Sequence, residues 1–391
     1  MVIKPRIRGF ICTTAHPTGC RAHVNAQIAS VQARGQFPGT GSALVLGCSG
    51  GFGLASRIVA AFGCGADTIG VSFEKSPGPR RTATAGWYNN RAFEDAAQTQ
   101  GRQALTFDGD AFADETRERV IAAIREHMGQ IDLLVYSLAA PVRTNPRTGE
   151  QFRSAIKPLG EPLAVKSLDV NKGEVREIVL PPADEDETAA TVQVMGGEDW
   201  EWWIDALLSA DVLAPGFKTV AYSYLGSELT ARIYRAGTLG RAKADVDRAA
   251  AAIQSRLGDV GGEARVAVLK AIVSQASTAI PVVPLYMSIL FRVMREQGSH
   301  ETSIEHIDRL FRDGLYGDAI GRDEVGRLRA DARELADAVQ SEVRRRWDVV
   351  DSDNIGALSD LGRFRQEFLA LFGFGFDGVD YDADVDPMDG T

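Results

Sequence analysis

Ala43-Leu-Val-Leu-Gly-Cys-Ser-Gly-Gly-Phe-Gly-Leu54 decides how this chain reads. Ala43 to Leu46 is an apolar run of strand type. It meets the glycines Gly47, Gly50, Gly51 and Gly53, and behind them Leu54, Ile58, Val59 and Phe62 recur at helical spacing. Strand, tight glycine turn and helix open a dinucleotide-binding unit. Glycines allow positive φ and close approach of the backbone to a pyrophosphate, while the helix N-terminus supplies open N–H groups and a positive dipole end. The spacing G-x-x-x-G-x-G (Gly47, Gly51, Gly53) is nearer the short-chain reductase form than G-x-G-x-x-G. Taken alone, such a turn can also be purely architectural.

Moving outward, Thr68 to Phe73 reads as a second strand ending at Glu74, where a carboxylate accepts hydrogen bonds from an adenosine ribose and repels a 2′-phosphate. That favours NADH over NADPH, with Lys75, Arg80 and Arg81 as neighbouring cations that weaken the preference. A Pro/Gly loop and a helix over Trp87 to Ala97 follow. A third strand, Ala104 to Phe107, ends in Asp108-Gly-Asp-Ala111, placing Asp110 near an adenine edge. A helix from Ala113 to Met128 leads to a fourth strand, Ile131 to Ser137, and the small residues after Leu138 leave room for a ribose. The order β-α-β-α-β-α-β predicts an α/β fold: a Rossmann-like doubly wound parallel sheet with helices on both faces.

From Pro141 to about Gly197 turn residues alternate with strand-like pieces (Ala164 to Lys166, Glu177 to Leu180), which reads as an inserted β-hairpin flap. Asp184-Glu-Asp-Glu187 is a helix start or a solvated turn. Trp200, Trp202 and Trp203 open a helix; core and the wall of an acyl pocket both stay open as readings, with core expected for two of the three. Strands Lys218 to Tyr224 and Arg265 to Lys270 resume the sheet, and the apolar helix Pro281 to Glu296 is expected to pack over the site. Helices are predicted over Glu301 to Arg312, Arg322 to Trp347 and Ser359 to Phe372. The expected organisation is one large domain over 1–391: a cofactor-binding core at about 40–140 and 215–300, the flap at about 141–197 and a helical region from about 300.

The formal charge of −10 argues against general nucleic-acid binding. No stretch reaches the ~20 apolar residues of a membrane span, and Met1 to Phe10 lacks the apolar core of a signal peptide. Four cysteines without a CxxC pair fit reduced thiols in a cytoplasm. Cys12, His16, Cys20 and His23 lie close together, but C-x3-H-x3-C-x2-H matches no standard zinc pattern, so no metal is expected. The alternating Asp380, Asp382 and Asp384 lack the glycine and bidentate Glu of a calcium loop.

The candidate catalytic pair is Tyr234 and Lys243, in Ile233-Tyr-Arg-Ala-Gly-Thr-Leu-Gly-Arg-Ala-Lys243. In short-chain reductases a Tyr protonates or hydrogen-bonds the oxygen that gains charge as hydride arrives, and a Lys holds the ribose and lowers the Tyr pKa. Their usual spacing is Y-x3-K, whereas here eight residues intervene.

Ile3-Lys-Pro-Arg-Ile-Arg-Gly-Phe-Ile-Cys-Thr-Thr-Ala-His-Pro17, Ala85-Gly-Trp-Tyr-Asn89, Val135-Tyr-Ser-Leu-Ala-Ala-Pro141, Val194-Met-Gly-Gly-Glu-Asp-Trp200 and Gly378-Val-Asp-Tyr-Asp-Ala-Asp-Val-Asp-Pro387 are long, unusual strings. Through them the chain resembles, nearly end to end, the FabV-type trans-2-enoyl thioester reductases, NADH enzymes related to trans-2-enoyl-CoA reductases. The Y-x8-K spacing matches that family. The resemblance implies that Gly47, Cys48, Ser49, Gly50, Gly51 and Phe52 cradle the pyrophosphate of NAD(H). It places Phe73 and Glu74 at the adenosine end, Asp110 and Ala111 at the adenine, and Leu138, Ala139, Ile272, Val273 and Ser274 at the nicotinamide. Tyr224 then touches substrate, Tyr234 donates the proton and Lys243 holds cofactor. Two departures stand out: Phe52 replaces the family's usual Tyr, and Gly50 its usual Ser or Thr.

The implied reaction is NADH-dependent reduction of an enoyl thioester, carried on acyl carrier protein or CoA, to the saturated acyl thioester, the last step of the fatty acid elongation cycle. Arg143, Arg147, Arg153 and Lys157 in the flap are the candidate rim for an acidic carrier or for CoA phosphates. A monomer in the cytoplasm is expected. The rivals are a carbonyl reductase of the short-chain class and an NADH-binding sensor without turnover.

Overall fold

The computed structural model describes residues 1–9, 11–138 and 140–388. Its centre is a seven-stranded sheet in which every neighbouring pair is parallel. We number these strands β1 (Ser42–Leu46), β2 (Asp67–Ser72), β3 (Ala104–Asp108), β4 (Ile131–Tyr136), β5 (Leu213–Ser223), β6 (Glu263–Val268) and β7 (Leu328–Arg329). The spatial order is β7-β6-β5-β4-β1-β2-β3. β1 to β3 wind outward in one direction and β4 to β7 in the other, so the order reverses between β1 and β4, and the crevice at that switch point is where open α/β sheets hold ligands.

Apolar residues on both sides of each strand require cover on both faces. On one face lie the helices Pro17–Ala33, Gly51–Ile58, Ala85–Thr99 and Ser303–Leu310, sharing a core with Val45, Phe62, Phe93 and Leu133. On the other lie Asp114–His127, Glu198–Ser209 and Thr238–Arg256, packed with Leu44, Ile69, Trp200 and Trp203. A third cluster surrounds the helix Val283–Glu296, which is apolar and buried almost all round, as a helix enclosed by protein must be.

The inserted segment forms two antiparallel hairpins, Val142–Thr144 with Gln151–Arg153 and Leu163–Asp169 with Glu174–Leu180, followed by the helix Glu185–Met195. Asp184 starts that helix with a reciprocal capping box to Glu187. The longer hairpin is strapped down, because Lys166 Nζ donates to the carbonyl of Trp347 at 2.7 Å and Ser167 Oγ to that of Pro281 at 2.9 Å.

One predicted helix is corrected. Within Arg322 to Trp347 the α-helix starts only at Asp337 and runs over Asp337–Val349, preceded by one short 3-10 turn at Ala330–Arg333. The first half turns at Gly326, with φ +86°, around the Asp323 carboxylate, which accepts from the N–H groups of Val325 and Arg327. It then adds β7 to the sheet edge, where Leu328 is buried. No helix of the described residues is long and apolar enough to cross a membrane.

Candidate active site

The turn after β1 is built from backbone constraints. Gly47 has φ +83°, and a Cβ there would stand 2.3 Å from the Ser137 carbonyl oxygen at the end of β4. A Cβ on Gly53 would lie 1.9 Å from the Gly47 carbonyl oxygen. These two glycines therefore let β1, β4 and the following helix converge. That helix, Gly51–Ile58, starts at Gly50 in extended backbone with no side-chain cap and no acidic residue in its first turn. Its leading N–H groups have no acceptor within the helix. Space within 4 Å of a Cβ at Gly50 is empty, and Ser49 to Phe52 line a cavity of about 830 Å³. Open donors at a helix N-terminus beside a glycine cradle suit an anionic pyrophosphate, so the residues present fit NAD(H).

The other expected contacts divide. Glu74 faces the cavity, with Ser49 Oγ donating to its Oε1 at 2.6 Å; a Cβ on Gly86 would come within 2.0 Å of that oxygen, so the glycine makes room for the carboxylate. Leu138, Ile272 and Ser274 also line the cavity. Gly47, Cys48, Phe73, Asp110, Ala111 and Val273 lie outside its lining. Cys48 is buried, with Sγ 3.6 Å from Asn90 Oδ1, and burial pushes its thiol up to about 11. Phe73 is 81% exposed. Asp110 Oδ1 accepts from the Phe112 N–H at 2.9 Å, and the Ala111 carbonyl accepts from Trp203 Nε1 at 3.0 Å. Val273 is buried in the third core cluster. Ala139 lies outside the described residues.

Across the same cavity stand Tyr224, Tyr234 and Lys243. Tyr224 directly follows β5, Tyr234 lies in the turn before the helix Thr238–Arg256, and Lys243 is in that helix. The two tyrosine rings meet edge to face, 4.7 Å between centroids at 79°. Their hydroxyls differ. Tyr224 donates to Glu334 Oε1 at 2.8 Å, while that of Tyr234 makes no hydrogen bond among the described residues. Burial, seconded by the Glu334 charge, raises the Tyr234 pKa, so the phenol keeps its proton. Lys243 Nζ is 3.5 Å from the Tyr222 carbonyl oxygen, and burial lowers its pKa against the opposing pull of Asp247.

Three residues here had no signal in the sequence. Glu334, fully buried, accepts from Tyr224, from Tyr286 Oη at 2.9 Å and from the Ala271 N–H at 2.6 Å. Lys270 lines the cavity, donates to the Ala271 carbonyl at 2.9 Å and is pushed down to about 8 by burial. His306 Nε2 lies 3.4 Å from the Lys270 nitrogen as acceptor, and its ring rests 5.6 Å from that of Phe52. Glu334 sits in the segment read as a continuous arginine-rich helix, which offered no reason to single it out.

The acyl side is apolar, with Ile156, Met195, Leu239, Ile280, Met287 and Phe372 in the wall. None of the three tryptophans lines it. Trp200 and Trp203 are core, and Trp202 lies under Arg143 and Arg147, whose guanidinium carbons are 4.8 and 3.9 Å from its ring. Of the expected basic rim, Arg143 is buried against Glu198 at 3.0 Å and Lys157 pairs with Glu187 at 2.5 Å, while Arg147 and Arg153 are exposed. His16 caps the helix Pro17–Ala33 by accepting from the Gly19 N–H through Nδ1 at 3.2 Å.

Three family models match in succession. Residues 2–79 match the NAD(P)H binding domain of trans-2-enoyl-CoA reductase, residues 81–316 the trans-2-enoyl-CoA reductase catalytic region, and residues 322–385 a model described as an enoyl reductase FAD binding domain. The last segment does not fit a flavin: of its residues only Leu371 and Phe372 line the cavity, and both are apolar. An enoyl-[acyl-carrier-protein] reductase [NADH] of Pseudomonas paraeruginosa is 53% identical over 99% of this chain and 98% of its own. A trans-2-enoyl-CoA reductase from Treponema denticola, solved in complex with NAD, superposes with TM-score 0.95 at 44% identity, covering 99% of this chain and 98% of its own. One from Clostridium acetobutulicum, in complex with NADH, gives 0.96 at 43% over the same shares. This chain belongs to the trans-2-enoyl-CoA reductase family.

Proposed function

We propose that this protein reduces the trans-2 double bond of enoyl thioesters with NADH, giving the saturated acyl thioester. The observation that carries the reading is a single cavity lined both by the glycine turn and by Tyr234 with Lys243. Bound NADH supplies the hydride that adds to the β-carbon of the substrate. Ser49 to Phe52 hold the cofactor's pyrophosphate through open N–H groups, and the Glu74 carboxylate accepts from the adenosine ribose. Leu138, Ile272 and Ser274 border the nicotinamide.

As the β-carbon gains hydride, charge moves through the conjugated system onto the thioester oxygen. Tyr234 keeps its proton and has no competing acceptor among the described residues, so it donates to that oxygen as the enolate forms, when a preorganised donor helps most. The Lys243 ammonium favours charge on the same side of the cavity and anchors cofactor. The proton that Tyr234 gives to the oxygen shifts to the α-carbon as the enol returns to the thioester, which completes the reduction, and solvent then reprotonates Tyr234.

The thioester arrives on acyl carrier protein, in keeping with the names of the relatives at 53% identity, or on CoA. The chain works as a monomer in the cytoplasm, a compartment in keeping with its four free thiols. NADH oxidation with crotonyl-CoA and crotonyl-acyl carrier protein, repeated with NADPH, tests the reading. Turnover is expected with NADH and much less with NADPH. NADH binding without oxidation in the presence of either thioester would overturn it in favour of a sensor, and turnover of ketones instead would identify a carbonyl reductase.

A further inference from the structure

Glu334 is a fully buried carboxylate that the reaction as derived above does not use. It comes from the segment between β7 and the helix Asp337–Val349, more than a hundred residues along the chain from Tyr224. Oε1 accepts from two phenols, Tyr224 at 2.8 Å and Tyr286 at 2.9 Å. Oε2 accepts from the Ala271 N–H at 2.6 Å. Gln340 Nε2 steadies the arrangement, donating to the Glu334 carbonyl at 2.7 Å and to Tyr286 Oη at 3.1 Å.

Two of these partners, Tyr224 and Ala271, line the cavity. Tyr224 abuts Tyr234 edge to face, and Ala271 opens the strip through Ile272 to Ser274 that borders the nicotinamide end. A phenol has one proton. With the Tyr224 proton held by Glu334, Tyr224 can only accept elsewhere, and Tyr234 is left as the donor. The charged and titratable groups facing Glu334 are Lys270, Tyr224 and Tyr286, and the Tyr234 phenol also feels its charge.

We propose that Glu334 is a positioning residue that holds the proton-donor side of the active site in register with the hydride side, by fixing the Tyr224 hydroxyl with one oxygen and the Ala271 backbone with the other. This rests on the reading of the cavity as an enoyl reductase site. Glutamine cannot do both tasks. With its single oxygen toward Ala271, its amide N–H groups face the two phenols and turn their protons elsewhere; with the oxygen toward the phenols, its N–H groups oppose that of Ala271.

The test uses the full chain, with wild-type turnover of crotonyl-CoA as the control for the enoyl reductase reading itself. If wild type turns over, Glu334→Gln is expected to lower kcat about tenfold while leaving NADH affinity within about threefold. Tyr224→Phe, which keeps the ring, is expected to lower kcat about threefold, and the double variant to be no slower than Glu334→Gln alone, because the one hydrogen bond that Tyr224→Phe removes is already lost in Glu334→Gln. Should Glu334→Gln fail to fold, Glu334→Asp keeps the charge but retracts it by one methylene and is expected to lose kcat in the same direction. Wild-type kcat in either folded variant, or multiplicative losses in the double variant, would overturn the proposal. No turnover by wild type would instead remove the reading on which it rests.

Discussion

The cavity has two ends made in different ways. The glycine turn at the β1–β4 switch point is a backbone site: its donors are main-chain N–H groups, and its shape is set by glycines where any Cβ would meet a carbonyl oxygen. The acyl end is a side-chain site, in which Tyr224, Tyr234, Lys243, Lys270 and Glu334 converge from segments far apart in the chain. A backbone site needs a contiguous motif and tolerates little substitution within it. A side-chain site can be gathered from anywhere the fold permits, and its parts have graded effects.

The largest effect that would sharpen this contrast is at the backbone end. Gly53→Val places a branched side chain against the Gly47 carbonyl oxygen, where even a Cβ would be 1.9 Å away. NADH affinity measured by fluorescence titration is expected to fall at least about 100-fold, with a lowered Tm, because the turn itself must move. Retained affinity would break the claim that backbone convergence makes this end.

A smaller effect belongs to His306, which sits at the joint, touching Phe52 on one side and Lys270 on the other. Burial pushes it down to about 4 from an ordinary 6.5, although the Glu301 carboxylate 3.1 Å away pulls upward. The imidazole is therefore neutral in the fold, while the unfolded chain takes up a proton below about 6.5. Its contribution is present above that pH and is lost as pH falls from 6.5 toward 4. In urea unfolding across this window His306→Gln is expected to show the shallower decline, by on the order of 1–2 kcal/mol at the acid end. An equal decline in both proteins would contradict a neutral buried His306.

The smallest effect expected is at Gly50, in the same turn as Gly53. Gly50 is in extended backbone, with φ −162°, and nothing lies within 4 Å of a Cβ there. Gly50→Ser is expected to leave NADH affinity within about threefold and Tm unchanged, since neither strain nor a clash opposes it. A large loss would show that the turn is not a purely backbone device.

The same contrast explains what could be read in the sequence. The strands from Ser42–Leu46 to Ile131–Tyr136 and their helices were legible because apolar runs and glycine turns are local signals, and parallel order follows from the alternation. Tyr234 and Lys243, which line the cavity, could be singled out through their family spacing. Edge strand β7 was missed because two residues beside an arginine-rich stretch carry no strand periodicity, and the Asp323 turn that ends any helix there looks like helix capping. Glu334 was missed because its importance lies in what surrounds it. The flap cations show a mixed outcome: Arg143 is buried against Glu198 and Lys157 pairs with Glu187, while Arg147, over Trp202, and Arg153 stay exposed.

The two tyrosines divide the work at the substrate oxygen, and one experiment tests that division. Steady-state NADH oxidation with crotonyl-CoA would be compared for Tyr234→Phe and Tyr224→Phe, with NADH affinity measured separately for each. Loss of the Tyr234 hydroxyl is expected to lower kcat by about 100-fold or more at unchanged cofactor affinity. Tyr224→Phe should cost only about threefold, because its proton already belongs to Glu334. Wild-type turnover by folded Tyr234→Phe, or a greater loss in Tyr224→Phe, would contradict the assignment.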